Sequence, residues 1–474
     1  MSAEPVPVSS GFPFDPAPED MRAMAAAVAE ALIAWTAGLE DAPAEATEGG
    51  IELARRLAAA PPETGTRDFQ QVLEEALGAA RRTFEYSGPG YLAYIPGGGL
   101  YTAALAEFLA QGLNRYVGLW QPSPAIVQLE ENVTRWLCTL FDFPRETSQG
   151  VLTSGGSMAN LSAVVTARHS RLGEDFLDGT YYVTDQAHGS NTKAATIAGF
   201  GARNLRLVPT DAELRMDPVA LSSMIQADRE AGLRPFLVVA AAGTTNTGAV
   251  DPLEAIADIA AREGLWFHVD AAYGGFFQLT DRGRARFRGA ERADSITVDP
   301  HKGLFLPYGT GGLIVRDREA MRDAHFEGAA YLQDLPPSGE LPNYNELTPE
   351  LSRDVRGLRV WFPLVLHGVE AFREALDEKL DLTERITAEL EADPNIEIGW
   401  DPELTVVTFR MRGGDEQRSR RLLERINASK RVFLSSTLIR GAYWLRVCIV
   451  SHRTHADRID ECAAIIRASA AALT

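Results

Sequence analysis

The chain has 474 residues, 45% of them hydrophobic, and carries 65 acidic against 46 basic side chains for a net charge of -19. That length exceeds one ordinary core and implies two or three domains, while the acidity and the lack of any dense Lys/Arg block argue against nucleic acid and anionic membrane surfaces as partners. The three cysteines, Cys138, Cys448 and Cys462, have no metal-ligand spacing and are an odd number for a disulfide framework, so a reducing compartment and no metal centre are expected. Met1 to Asp20 is rich in Pro, Ser and acidic residues without the order of a signal peptide, and no apolar run is long enough to span a bilayer; a cytoplasmic enzyme is the default.

Residues 18 to 48 and 66 to 85 place Ala, Met, Val and Leu at helical spacing on either side of the Pro61-Pro62 break. Such helices expose an apolar face with no sheet of their own to cover it, so they are expected to pack on another chain or domain. From about Gly150 the pattern becomes short apolar runs alternating with amphipathic helices: Thr180 to Thr184, Leu205 to Val208, Phe236 to Ala242, Leu265 to Val269, Ser295 to Val298 and Gly312 to Val315. Nearly continuous runs of this kind, separated by helices such as Pro252 to Arg262, predict an α/β fold with a mainly parallel sheet covered on both faces. A long helix, Val369 to Asp393, then leads to a strand-helix-strand-helix region, Leu404 to Met411, Gln417 to Ala428, Trp444 to Val450 and Ala456 to Ala472, which reads as a small α+β domain. The expected division is 1–88, a helical segment, 89–365, the large domain, and 366–474, the small one.

Ligands of parallel sheets bind beyond the carboxyl ends of the strands, and the polar motifs fall there. Thr153-Ser154-Gly155-Gly156-Ser157 opens a helix with small residues, which lets N–H groups approach a phosphate; on its own it is also a common turn. His188, in Asp185-Gln186-Ala187-His188-Gly189, follows the strand ending at Thr184, and Asp270 ends a very apolar strand, where an ionised carboxylate needs a cation or several donors. Gly243-Thr244-Thr245 offers hydroxyls to the same edge. Lys302, in Asp299-Pro300-His301-Lys302-Gly303, stands just past another strand, where a lysine can form a Schiff base with an aldehyde cofactor. A phosphate cradle, an imidazole, a carboxylate and a lysine in this order suit pyridoxal 5′-phosphate (PLP).

With these motifs the chain resembles the PLP-dependent group II amino acid decarboxylases, within the aspartate aminotransferase fold type (PLP fold type I), from near Gly90 through the carboxyl-terminal domain. The resemblance implies a seven-stranded sheet and a homodimer whose active sites lie at the subunit interface, with the amino-terminal helices wrapping the partner. It implies Lys302 as the Schiff-base lysine, Asp270 paired with the pyridine nitrogen, His188 stacked on the ring and Ala272 supporting the opposite face. Gly156 and Ser157 look like phosphate contacts with His301 nearby, and Thr245 matches the threonine beside the cofactor. Tyr331 matches the position of the family's loop tyrosine linked to the proton donor, followed by a polar stretch, Gln333 to Pro342, suited to a lid. A phenylalanine there accompanies oxidative deamination in related enzymes, so Tyr331 argues for simple decarboxylation.

Departures fall on the substrate side. Tyr94-Ile95-Pro96 resembles the pocket segment of the aromatic decarboxylases, but Gly97-Gly98-Gly99 follows where they carry a threonine and other side chains; Trp120 is a further candidate for the pocket, or a buried structural tryptophan. Asn345 stands in place of an arginine, and Gly303 in place of the usual tryptophan. The leading expectation is a PLP-dependent decarboxylase of an L-amino acid, most readily an aromatic one. The alternatives are a PLP aldehyde synthase or another fold-type I relative, and a non-catalytic dimeric scaffold.

Overall fold

The structure is a computed structural model that describes residues 14–65, 68–326, 328, 339 and 341–473. The amino-terminal helices are α1 (Pro18–Ala37), α2 (Gly50–Leu57), α3 (Phe69–Ala80), α4 (Tyr101–Leu113) and α5 (Pro124–Leu140). The first is shorter than the periodicity predicts, because the chain turns at Gly38 and Pro43 and Glu45 then bridges to Phe84. The third starts where Asp68 accepts a hydrogen bond from the Gln71 N–H.

Alternating elements follow: β1 (Gln149–Thr153), α6 (Gly156–Leu172), β2 (Gly179–Thr184), α7 (Gly189–Ile197), β3 (Leu205–Val208), α8 (Pro218–Glu230), β4 (Arg234–Ala241), α9 (Leu253–Glu263), β5 (Trp266–Ala271), α10 (Asp281–Arg286), β6 (Ser295–Val298), α11 (Pro300–Gly303), β7 (Gly311–Val315) and α12 (Arg318–His325). The seven strands form one sheet in the order β1-β7-β6-β5-β4-β2-β3. Strands β3, β2, β4, β5 and β6 are parallel, whereas β7 runs against both β6 and β1. Two reversals cancel, so β1 runs with β6, and the carboxyl ends of β1, β2, β4, β5 and β6 share one edge. Every residue of β1, β2, β5, β6 and β7 is buried, which explains why these segments show no alternation.

After this sheet come α13 (Arg356–Glu391), β8 (Ile396–Ile398), β9 (Val406–Met411), α14 (Glu416–Ala428), β10 (Ser435–Ile439), β11 (Ala442–Cys448) and α15 (Ala456–Ala471). The predicted helix start at Val369 marks a real break, since Gly368 inside α13 has φ 76 and ψ 154 and separates two helical halves. Strands β8 to β11 form a second, antiparallel sheet in the order β10-β11-β9-β8. Leu422 and Ile426 of α14, Ile459 and Ile466 of α15, and Leu382 and Ile386 of α13 cover it. Two of its strands, β8 and β10, lie in stretches too short and mixed to read as strands. The two sheets touch near the shared edge, where the Tyr273 hydroxyl meets Thr405 Oγ1 at 2.7 Å. No helix among the described residues is long and apolar enough to cross a membrane.

Candidate active site

A cavity of about 260 Å³ opens at the shared strand edge, lined among others by Gly156, Ser157, His188, Ala272, His301 and Lys302. Small residues make its floor possible. A Cβ on Gly156 would lie 2.9 Å from Asp299 Oδ2 and 3.2 Å from Ala272 Cβ, so a side chain there would close the approach to the first turn of α6. That turn presents its free N–H groups and the positive end of the helix dipole to an anion.

Lys302 sits in α11, the short helix after β6. Its Nζ lies 3.1 Å from Asp299 Oδ2, with the side chain largely covered. His301 donates from Nδ1 to the Thr310 carbonyl at 2.6 Å, and burial lowers its pKa. Asp299 Oδ1 is buried without a hydrogen-bond partner. Motif reading passed over Asp299; its signal is the i, i+3 spacing to Lys302, which puts both on one face of a helical turn.

Asp270, at the end of β5, accepts hydrogen bonds from Asn191 Nδ2 at 2.7 Å and Asn160 Nδ2 at 3.0 Å on Oδ2, and from the Ala272 N–H at 3.2 Å on Oδ1. Burial acts to raise its pKa, but the Asn191 hydrogen bond and the charges of His268 and Lys302 help outweigh it and hold the carboxyl below its usual range. An ionised carboxylate is therefore fixed one strand away from the lysine. His188 caps the amino end of α7, and its Nδ1 receives the Ser190 N–H at 3.2 Å and meets Ser190 Oγ at 2.7 Å. Sequence reading missed Asn160, Asn191 and Ser190, polar residues near the amino ends of α6 and α7. Their signal is position, since a helix start at a strand end directs its first turn at the ligand edge.

The remaining expected residues are more dispersed. Thr245 follows β4, and its carbonyl accepts from Arg446, whose Nε also donates to the Asn246 carbonyl at 2.9 Å. Tyr94 is strained, with φ 55, and 57% exposed; its N–H is bonded to Ser435 Oγ at 3.0 Å and its carbonyl to Arg446 at 3.2 Å. Ile95 and Pro96 are buried, and the Trp120 N–H donates to Asn343 Oδ1 at 3.2 Å. None of Thr245, Tyr94, Ile95, Pro96 and Trp120 lines the cavity around Lys302, and Asp270 lies behind its wall, reached through Asn160. Tyr331 and most of the lid stretch lie outside the described residues.

Two departures have steric reasons. A Cβ on Gly97 would meet the His301 carbonyl at 2.6 Å, and one on Gly303 would meet Phe276 Cβ at 2.6 Å. Phe276 occupies the room a tryptophan at 303 would need.

A helix start suited to an anion and a lysine amine on one cavity, with a buried ionised carboxylate just behind its Asn160 wall, fit pyridoxal 5′-phosphate, and the fold is that of the PLP-dependent enzymes with an aspartate aminotransferase-like sheet. Residues 65–412 match the pyridoxal-dependent decarboxylase conserved domain, and the chain belongs to that family. It is a PLP-dependent carboxy-lyase. It is 32% identical over 450 residues to the aromatic-L-amino-acid decarboxylase of Bacillus atrophaeus, covering 93% of each chain. It is 30% identical to the phenylacetaldehyde synthase of Arabidopsis thaliana, over 86% of this chain and 88% of that one. Among solved structures, Oryza sativa TDC with PLP and tryptamine superposes with a TM-score of 0.92 at 26% identity, covering 98% of this chain and 99% of that chain.

Proposed function

We propose that the chain removes the carboxylate of an aromatic L-amino acid as CO2 and releases the amine. The observation that carries this reading is the cavity lined by Lys302, His188 and Asn160, with the Asp270 carboxylate behind Asn160, 3.0 Å from its amide nitrogen. The likeness to the Bacillus atrophaeus aromatic-L-amino-acid decarboxylase supports the substrate class.

When bound, PLP supplies an aldehyde for an amino group and an electron-poor ring that takes up the electrons left as CO2 departs. Lys302 Nζ is the amine of this chain that would hold the cofactor aldehyde until a substrate amine takes its place. Asp270 would keep a proton on the ring nitrogen through charge pairing, and its donors Asn160 and Asn191 keep it ionised without reorganisation. His188 and Ala272 would hold the ring of the bound cofactor, Gly156 and Ser157, with His301 near, would hold its phosphate, and Thr245 would contribute a hydroxyl beside it. Tyr331 serves the return of a proton to the substrate carbon. Tyr94, Ile95, Pro96 and Trp120 shape the side-chain pocket.

The active form is a cytoplasmic homodimer with its sites at the subunit interface, divided as 1–88, 89–365 and 366–474. Support comes from the exposed apolar side chains of the amino-terminal segment, Met21, Leu32, Ile33 and Ile51, which a single chain leaves uncovered, and from three buried free cysteines.

The test is a screen of purified holoprotein against Phe, Tyr, Trp and dihydroxyphenylalanine, reading CO2. Release from at least one is expected, and silence on all four removes the aromatic assignment. The likeness to the phenylacetaldehyde synthase keeps a second reading in view. Aldehyde with ammonia and peroxide, in place of amine, would favour it.

A further inference from the structure

We propose that His268 is a positioning residue: its ring sets the orientation of Asn160, so that one side-chain amide serves both Asp270 and the Ser190–His188 pair. His268 is completely buried in the middle of β5 and does not line the cavity. Apart from the charge it can exert on Asp270 directly, its influence on the site passes through its neighbours.

The direction of the chain of hydrogen bonds follows from its two ends. Asp270 is an acceptor only, so the group 3.0 Å from its Oδ2 is the Asn160 amide nitrogen. That leaves Asn160 Oδ1 facing His268 Nε2 at 3.1 Å, and because a carbonyl oxygen only accepts, Nε2 carries the ring proton. At the other end the Trp266 indole N–H only donates, to Ser295 Oγ at 2.8 Å. The Ser295 hydroxyl proton is then free to point at His268 Nδ1, 2.8 Å away. The Asn160 end fixes this neutral tautomer and the Ser295 end accommodates it, and burial, which lowers the His268 pKa to about 4, keeps a second proton off the ring near neutrality.

Asn160 has a second amide hydrogen, directed to Ser190 Oγ at 2.9 Å. Ser190 then gives its hydroxyl proton to His188 Nδ1, where the Ser190 N–H also arrives, so His188 carries its own proton on Nε2. A reversed Asn160 would turn its oxygen toward the Asp270 carboxylate and forfeit both donations. His268 Nε2–H is the group that makes reversal unfavourable from the far side.

The proposal rests on reading Asp270 as the partner of the cofactor ring, but its test does not need the reaction. In the full-length chain, isotope-edited infrared or carbon NMR follows protonation of Asp270, which faces the titratable groups His268 and Lys302. His268→Phe should raise the proton affinity of Asp270 about tenfold, and His268→Gln, whose amide can donate to Asn160, should restore most of it. In an Asn160→Ala background His268→Phe should add only the smaller part that the charge of His268 exerts directly on Asp270, because the rest travels through that amide. A full tenfold effect that persists in Asn160→Ala, or a folded His268→Phe chain with Asp270 unchanged, would overturn the proposal. Should His268→Phe not fold, Ser295→Ala removes the donor to Nδ1 and should shift Asp270 in the same direction by less; no shift there counts against it. The apparent dissociation constant for PLP should also rise about tenfold in His268→Phe. A chain that binds no PLP at all would instead refute the functional reading, while the Asp270 titration still decides this one.

Discussion

The strand end that carries Asp270, just behind the cavity, and the turn that carries Lys302, on its wall, are held in different ways. Asp270 accepts three hydrogen bonds, two of them from asparagines on different helices, and lies in the middle of a sheet whose neighbouring strands are buried. Lys302 stands on a four-residue helix, with one carboxylate 3.1 Å from its amine, and that carboxylate has an oxygen without a partner. A charge that must stay in place through a reaction is best preorganised, because no reorganisation is then needed when the electrons move. An amine that must leave the cofactor and return needs fewer ties.

Lys302→Ala should produce the largest effect, loss of turnover and of the absorbance band of the lysine-linked cofactor, measured on dialysed protein after incubation with PLP. A variant that keeps both would place the anchoring amine elsewhere. Next, Asp270→Asn removes one member of a buried charge pair, and kcat/KM should fall by about 10²-fold or more, corresponding to a cost of about 3–5 kcal/mol. Steady-state kinetics with excess PLP checks this. A loss confined to PLP affinity would mean that the rigid wall serves binding and not the chemical step.

The third prediction concerns acid stability. The His268 pKa is lowered in the folded chain from 6.5 to about 4, so between those values the unfolded chain takes up a proton that the folded chain refuses. Its presence therefore costs stability as pH falls through that window, by on the order of 3 kcal/mol. The stability deficit of His268→Phe, read from urea midpoints, should shrink from pH 6.5 toward pH 4; a constant deficit would show that His268 is not held neutral. The smallest effect is expected at the substrate-side loop. Gly97→Thr places a Cβ 2.6 Å from the His301 carbonyl, and overpacking of this kind costs about 1–3 kcal/mol. A lowered Tm with a raised KM is expected, and an unchanged KM would detach this loop from the lysine wall.

The same contrast governs what could be read from sequence. The strand ends bearing His188, Asp270 and Lys302 were legible because buried parallel strands are continuous apolar runs and the polar residue after each one stands out. Asn160, Asn191 and Ser190 were not, since each is one polar residue in a helix whose pattern is set by packing, and only the sheet order reveals that α6 and α7 aim at β5. Asp299 was inside a motif already noted, but its contact with Lys302 needs the turn of α11 to be seen. The reversal of β7 was equally invisible, because a strand buried on both faces has the same composition in either direction. Strand β10 has three residues that are not fully buried and sits at a sheet edge, so its signal was weak for a different reason.

The central claim is that Lys302 is the residue joined to PLP. Reduction of the holoprotein with borohydride, digestion and mass spectrometry of the peptides tests it most directly. The pyridoxyl mass should appear on the peptide containing Lys302 and be absent from Lys302→Ala; the adduct on another lysine, with Lys302 unmodified, would contradict the account.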